Sequence, residues 1–241
     1  MTSLTSEGIP LAFLAKPLTA GVKVYEYWQP SRNPHLLLIG ATGTGKSYAI
    51  SRILSLVSER IPHAGGTFCD FKGDDSFAFL SGCKAAHRHT DCERGFDSFF
   101  EMFLRRQTGD DPSRDFRVLC FDEWASFVTF LGPKASPAVI GKLALLLMLG
   151  RSFNVHVIVG QQRADAQYFS TARDNFSIIL ALGNLSKESA AMFGFDRDLL
   201  EPAFRLGAGN VLINGAGQKA VQVPAIRDMR AAQANIRRLF A

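Results

Sequence analysis

Cysteine and tryptophan are both scarce in this chain of 241 residues. The four cysteines form no Cys-x-x-Cys pair, and a chain of this length buries enough apolar surface to fold without disulfide bonds. Charged residues make up 20% of the sequence and hydrophobic residues 47%, which excludes a largely disordered chain. We therefore expect a globular protein in a reducing, cytoplasmic environment.

Long apolar runs are also lacking. The longest, Leu36–Ile39 and Leu143–Leu149, are far shorter than the roughly 18 residues that a helix needs to cross a bilayer. The N-terminus has no basic leader followed by an apolar stretch, so we expect neither a signal peptide nor direct membrane insertion. The net charge of +5 permits a nucleic-acid partner without requiring one.

Short apolar runs alternate with helical patterns from His35 onward. Buried strands are predicted at Leu36–Ile39, Gly66–Phe71, Val118–Phe121, Val155–Val159 and Ser177–Leu182, and helices at Lys46–Arg60, Cys92–Arg106, Pro137–Leu149 and Arg227–Leu239. This alternation indicates an α/β fold with a mainly parallel sheet, helices on both faces and a C-terminal β-hairpin around Gly215–Gly217. Residues 1–34 are predicted to be a lead-in with one short strand, Val22–Trp28, and residues 35–241 the main domain.

The strongest motif lies between the first buried strand and the following helix. It fits the pattern GxxxxGK[ST] and consists of Gly40, Ala41, Thr42, Gly43, Thr44, Gly45, Lys46 and Ser47. In such a loop the backbone N–H groups surround phosphates, Lys46 reaches the β- and γ-phosphates, and the Ser47 hydroxyl binds Mg²⁺. The alternative is a glycine-rich turn that binds nothing, but a turn alone requires neither Lys46 nor Ser47.

Two acidic residues follow the strand Val118–Phe121. Asp122 and Glu123 would lie at the carboxyl edge of a parallel sheet, where such sheets bind ligands. There Asp122 would hold Mg²⁺ and Glu123 would polarise the attacking water, an arrangement that favours ATP hydrolysis over simple binding. By itself the acidic pair is a weak signal, because a strand that ends in acidic residues is often only followed by a solvated turn, so the interpretation depends on the upstream loop.

A third polar cluster follows the strand Val155–Val159. Gln161, Gln162 and Arg163 would reach the same sheet edge. A glutamine there can sense the γ-phosphate or position the water, and an arginine can stabilise transferred charge. A polar strand terminus without a role explains the cluster equally well.

In order and spacing these segments resemble the motor domain of FtsK/SpoIIIE-type DNA translocases and of related conjugative coupling ATPases. Six segments carry the resemblance: Pro34–Gly43, Asp70-Phe71-Lys72-Gly73, Asp122-Glu123, Gly150–His156 with the following Gln161-Gln162-Arg163, Leu206–Asn210 and Val221-Gln222-Val223. The second of them stands where the family has an Asp-Pro-Lys element. It extends over roughly residues 34–228. The N-terminal membrane region and the C-terminal winged helix of many family members have no counterpart here, so sequence-directed translocation is not expected.

The resemblance implies a RecA-like P-loop ATPase motor domain that uses ATP and Mg²⁺ and assembles into a homo-oligomeric ring, in the family a hexamer. It implies DNA translocation, sequence-tolerant and on duplex DNA, in conjugative transfer or replication of a mobile element. It assigns catalysis to Lys46, Glu123 and Gln162. The family's usual arginine after the glutamine motif is replaced by Ile179, so Arg151 and Arg173 are the first candidates for a residue that acts across a subunit boundary, with Arg163 as a third.

Two other functions stay open. An ATP-dependent switch or adaptor would bind a relaxase, a helicase or a secretion-channel partner without translocating, as the short chain suggests. A small-molecule P-loop kinase would need an arginine-rich lid, which the sequence does not offer.

Weaker patterns have ordinary explanations. Cys83, His87, His89 and Cys92 could bind zinc, but their spacing fits a strand entering a helix better. Lys72, Lys187 and Lys219 are candidates for DNA contacts, although an isolated lysine is usually only solvated.

Overall fold

A ten-stranded sheet forms the centre of the structure, a computed structural model that describes residues 8–162 and 166–241. Its strands are β1 (Ile9–Leu14), β2 (Tyr25–Trp28), β3 (His35–Gly40), β4 (Gly65–Asp70), β5 (Ala86–Arg88), β6 (Arg117–Asp122), β7 (Val155–Gln161), β8 (Ile178–Leu182), β9 (Ala208–Ile213) and β10 (Gly217–Gln222). Their order across the sheet is β2-β1-β10-β9-β8-β3-β7-β6-β4-β5. The phosphate-loop strand β3 therefore lies near the middle.

The sheet is mainly parallel, as predicted. Strands β8, β3, β7, β6, β4 and β5 run parallel to one another, whereas the pairs β8–β9, β9–β10, β10–β1 and β1–β2 are antiparallel. The predicted C-terminal hairpin is confirmed as β9 and β10, joined by the turn at Gly215. These features confirm the predicted RecA-like α/β class, in which the carboxyl ends of parallel strands share one edge.

Helices cover both faces of the sheet. They are α1 (Ala15–Thr19), α2 (Lys46–Arg60), α3 (Cys92–Thr108), α4 (Trp124–Leu149), α5 (Lys187–Met192) and α6 (Met229–Leu239). One face packs against α2 and α6, which also contact each other, and the opposite face packs against α3 and α4. The core on the α3 and α4 face is rich in phenylalanine, because α3 turns Phe96, Phe99, Phe100 and Phe103 inward.

The fourth helix is longer than its sequence pattern predicts. It begins at Trp124 rather than at Pro137, and the backbone of Gly132 leaves helical geometry with φ of 69° immediately before Pro133. The kink hides the helical periodicity of the first half, so the sequence alone revealed only the second half. By length and composition the stretch Trp124–Phe153 could cross a membrane, but a helix that packs on the core of a soluble domain passes the same test, so this evidence is weak.

The lead-in belongs to the same sheet. Strand β2 lies inside the predicted segment Val22–Trp28, and β1, which the sequence analysis missed, pairs with both β2 and β10. The guanidinium of Arg52 on α2 donates hydrogen bonds to the carbonyls of Pro10 and Leu11, the latter at 3.0 Å. The lead-in is thereby fixed to the helix that follows the phosphate loop.

Candidate nucleotide-binding site

The phosphate loop connects β3 directly to α2. The backbone of Gly45 has φ of 97°, a left-handed conformation that glycine adopts without strain, and α2 begins at the next residue, Lys46. Thr44 closes the loop, since its hydroxyl donates to the Ala41 carbonyl at 2.8 Å. The first N–H groups of a helix have no partner within the helix, so the start of α2 offers donors to an anion beside this loop.

The lysine of this loop contacts both predicted carboxylates. The Lys46 ammonium donates to Asp122 Oδ1 and lies 3.3 Å from Glu123 Oε1. All three side chains are at least nine-tenths buried. Because β3, β7 and β6 are adjacent and parallel, the phosphate loop after β3 and the acidic pair after β6 lie at the same edge of the sheet and form one site.

Backbone geometry determines where the two carboxylates point. Asp122 packs over Gly160 of β7, where any Cβ would lie 2.3 Å from Asp122 Oδ1, so the carboxylate needs a glycine beside it. Glu123 adopts φ of 63° and ψ of 47°, an unfavourable conformation for a side-chain-bearing residue, and its N–H donates to the Gly160 carbonyl at 2.8 Å. Strain of this kind is characteristic of functional sites, where neighbouring contacts maintain it.

Charge and burial act in opposite directions on these groups. Burial lowers the pKa of Lys46, but Asp122 and Glu123 outweigh it and the pKa is raised above its usual value. Burial raises the pKa of Glu123, and the positive charge of Lys46 opposes this only in part. Glu123 is therefore a stronger base than a solvated glutamate, which suits a residue that must polarise water.

One cavity of about 310 Å³ unites most of the predicted residues. Its described lining includes the predicted Ala41, Thr42, Gly43, Gly45, Lys46, Ser47, Asp122, Glu123 and Gln162. Of the two adjacent glutamines it is thus Gln162 that faces the cavity, while Gln161 is fully buried. Gly40 is the last residue of β3 and the first of the phosphate loop. Within the loop, the Thr44 carbonyl accepts a hydrogen bond from the N–H of Gly207 at 3.0 Å.

The cavity also contains residues that were not predicted to bind nucleotide: Tyr48, Lys72, Asp74, Ser76 and Leu206. Lys72, Asp74 and Ser76 follow β4, whose last residue, Asp70, pairs with Asp122. The signal was present in Asp70-Phe71-Lys72-Gly73, a polar turn directly after a buried strand. The sequence predicts Lys72 only as a candidate for DNA contacts, whereas the structure places it in the lining of this cavity.

The candidate arginines lie elsewhere. Arg151 is exposed in the turn Gly150–Phe153 before β7, at the sheet edge opposite the cavity. Arg173 is partly buried, 3.2 Å from Asp174 Oδ1, with its guanidinium over the Phe193 ring. Neither is among the described lining residues, and Arg163 lies outside the described residues. Their action across a subunit boundary stays a prediction.

The weaker patterns gain no support. His87 Nδ1 lies 2.7 Å from Asp91 Oδ2, and the Cys92 thiol is directed at the His87 carbonyl. Within residues 8–162 and 166–241, no group of three or more His, Cys, Asp or Glu is placed to hold a metal, so the zinc interpretation is not supported. Lys187 is exposed, whereas Lys219 forms an ion pair with Glu26 at 2.7 Å.

The donor set fits Mg²⁺. The carboxylates of Asp122 and Glu123 already surround a cation, the Lys46 ammonium, and the Ser47 residue lines the same cavity. Hydroxyl and carboxylate oxygens are the ligands that this hard ion prefers, and it usually keeps waters and takes phosphate oxygens as its further ligands. Ser47 and Asp122 are the residues that would hold it.

No family model matches this sequence. One curated relative, the FtsK domain-containing protein YdcQ of Bacillus subtilis (strain 168), is 26% identical over 185 residues. The match covers 69% of this chain and only 38% of that protein. The resemblance to FtsK-type domains is confirmed.

Solved structures of FtsK-type ATPases agree with the fold. The cytoplasmic domain of the type VII secretion ATPase EccC from Thermomonospora curvata superposes with a TM-score of 0.69 and 21% identity, covering 96% of this chain and 30% of that one. The conjugation coupling protein TcpA of pCW3, solved with ATPγS, gives a TM-score of 0.71 and 18% identity over 91% of this chain and 66% of its own. At these identities the likeness establishes the fold, and activity must be argued from the site.

Proposed function

We propose that this chain hydrolyses ATP with Mg²⁺ and that hydrolysis drives the movement of DNA through a ring of identical subunits. The ATPase part rests on one observation, the convergence of Lys46 with Asp122 and Glu123 in a single buried cavity beside the phosphate loop. A loop that only bound a phosphate would not need a strained glutamate at the same place.

The chain's own residues divide the reaction among them. Backbone N–H groups of the loop and the Lys46 ammonium hold the phosphates, and Ser47 and Asp122 hold the metal. Bound Mg²⁺ supplies positive charge to the phosphate oxygens and so favours attack at phosphorus. Glu123 orients the attacking water and accepts its proton at a carboxylate oxygen, and Gln162 lies where its amide can contact the terminal phosphate or that water.

The motor part of the proposal is supported by the relatives. TcpA is described as a conjugation coupling protein, and the Bacillus subtilis relative contains an FtsK domain. The described lining of the cavity carries lysines but no arginine, which is compatible with an arginine supplied by a neighbouring subunit, Arg151 or Arg173. We infer a ring, in the family a hexamer, that grips duplex DNA through its phosphates in conjugative transfer or replication of a mobile element.

A second candidate is a protein-binding ATPase. ATPases 2 and 3 of Thermomonospora curvata EccC were solved in complex with a signal sequence peptide, and they superpose on 95% of this chain with a TM-score of 0.62 at 17% identity. A fold of this kind can therefore hold a peptide. In that case the chain would switch its affinity for a relaxase, a helicase or a secretion-channel partner without translocating.

ATP turnover separates the candidates. We would measure hydrolysis without DNA, with single-stranded DNA and with long duplex DNA, for the wild type, Lys46→Ala and Glu123→Gln. Strong stimulation by duplex DNA that both variants abolish supports the motor. Slow hydrolysis that no DNA stimulates would refute an autonomous motor and favour the protein-binding ATPase, whereas hydrolysis that survives both substitutions would refute the assigned site.

An arginine test addresses the ring. If Arg151 or Arg173 acts across a subunit boundary, its replacement by Ala abolishes hydrolysis, and mixing that variant with Glu123→Gln restores part of the activity. The restoration requires that each site combine residues from two chains. No recovery on mixing, with both variants assembled, would exclude that arginine.

A further inference from the structure

A short turn after β4 lines the same cavity as the phosphate loop. This turn, residues 70–76, carries Lys72, Asp74 and Ser76 into the cavity lining. Asp70 is fully buried and its Oδ1 accepts the Gly73 N–H at 2.8 Å. The turn is thus anchored at its start by a side chain that lies next to Asp122 in the sheet.

Arg88 of β5 fixes the other end of this turn. Its Nη2 donates to the Asp74 carbonyl at 3.1 Å, and its Nε lies 3.4 Å from Asp70 Oδ2. Asp74 in turn accepts the Ser76 N–H at 2.8 Å through Oδ1. Because both ends are held, the backbone of Lys72 has a defined position, and only its flexible side chain is free to move.

The two lysines of the cavity are held very differently. Lys46 is buried between two carboxylates, whereas the side chain of Lys72 is 47% exposed and its Nζ lies 3.8 Å from Asp74 Oδ2, beyond hydrogen-bond distance. An exposed ion pair of this length contributes little, so Lys72 can exchange Asp74 for a better anion at small cost. In the cavity as described, Lys72 is the cation that is available to an incoming ligand.

The charge balance explains why a second cation is useful. The described lining contains two lysines and three carboxylates, Asp74, Asp122 and Glu123, and this excess of negative charge opposes a polyphosphate. Mg²⁺ at Asp122 would offset part of the repulsion, and Lys46 would then serve the β- and γ-phosphates. Asp74 lines the same cavity, and its charge would still repel the outermost phosphate, which carries the most charge.

We propose that Lys72 is a second phosphate-binding residue: its ammonium gives up the ion pair with Asp74 and binds the terminal phosphate of a nucleoside triphosphate. Because a diphosphate lacks that phosphate, Lys72 would distinguish the triphosphate from the diphosphate. The inference rests on the proposed nucleotide-binding function and adds to it a residue outside the phosphate loop. It also connects the terminal phosphate with β4 and β5, since Asp70 and Arg88 hold the turn that carries Lys72.

Nucleotide affinity tests this role without requiring turnover. We would titrate the full chain with ATPγS and with ADP, each with Mg²⁺, by calorimetry, for the wild type, Lys72→Ala and Lys72→Arg. A lost charge-assisted hydrogen bond is worth about tenfold in affinity. Lys72→Ala should therefore weaken ATPγS about tenfold and ADP less than twofold, and Lys72→Arg should recover most of the loss.

Two control variants make the result specific. Lys84→Ala removes an exposed lysine away from the cavity and should change neither affinity, whereas Lys46→Ala should abolish both. Equal effects of Lys72→Ala on ATPγS and ADP, or no effect on either, would overturn the proposal and leave the nucleotide site itself intact. A wild type that binds neither nucleotide would refute the proposed function and, with it, the role of Lys72.

Asp74 offers an independent check. Asp74→Asn keeps an oxygen that can accept the Ser76 N–H and removes the negative charge beside Lys72. If the terminal phosphate replaces Asp74 as the partner of Lys72, this variant should bind ATPγS at least as tightly as the wild type. Weaker ATPγS binding by a variant with unchanged thermal stability would contradict the exchange.

Discussion

Acidification should destabilise this protein through one buried histidine. His35, the first residue of β3, is fully buried, and its Nδ1 accepts the N–H of Val157 at 3.0 Å. A proton on Nδ1 would destroy this hydrogen bond and bury a charge. Burial, reinforced by the nearby His156, lowers the pKa of His35 to about 3, far below its ordinary value.

The magnitude follows from the difference between the folded and the unfolded pKa. The unfolded chain takes up a proton on this histidine near pH 6.5, whereas folded His35 does so only near pH 3. Stability is thus complete above about pH 6.5 and falls by about 1.4 kcal/mol per pH unit below it. At about pH 5 the loss from His35 is about 2 kcal/mol, a large share of the roughly 5–15 kcal/mol that stabilises a typical domain.

Urea unfolding at about pH 7.5 and about pH 5 measures this effect. The buried Trp28 and Trp124 provide the fluorescence signal. His35→Asn keeps a side-chain acceptor and removes the titrating group. Between these two pH values its free energy of unfolding should therefore fall by about 2 kcal/mol less than that of the wild type. His156, whose pKa burial lowers to about 4, contributes to both proteins and cancels in the comparison. Identical pH dependence of the two proteins would refute the reasoning.

Other substitutions test the site and the sheet. Glu123→Gln should keep ATP binding and lower the hydrolysis rate by at least about a hundredfold. In the wild type, the acid limb of the plot of hydrolysis rate against pH should lie above the usual glutamate range, because burial raises the pKa of Glu123. An acid limb at the ordinary glutamate value would contradict this. Gly66→Ala should destabilise the fold by about 3 kcal/mol or more, because its Cβ would lie 1.9 Å from the Val118 carbonyl oxygen of the adjacent strand. Gly141→Ala is the matched control, since the added methyl group meets nothing within 4 Å, and thermal unfolding should show it to be stabilised by about 1 kcal/mol.

The sequence by itself determined the central strands, most of the long helices and the phosphate loop. The parallel strands β3, β6, β7 and β8 each contain an apolar run, and each long helix except the first half of α4 shows its own periodicity, so local patterns suffice to predict them. The order Gly45, Lys46, Ser47 fixes a phosphate loop because the chemistry depends on neighbours in the chain. Gln162 was likewise predicted, since it directly follows a buried strand that ends at the ligand-binding edge.

The tertiary structure alone added the turn after β4 to the site. Strand pairing brings Asp70 beside Asp122 and the turn with Lys72 into the same cavity as the phosphate loop, and no local pattern encodes that register. The same holds for β1, which joins the sheet only through its pairing with β2 and β10. Pairing, burial and the resulting pKa shifts depend on residues distant in the chain, and for that reason they arise only when the sheet has formed.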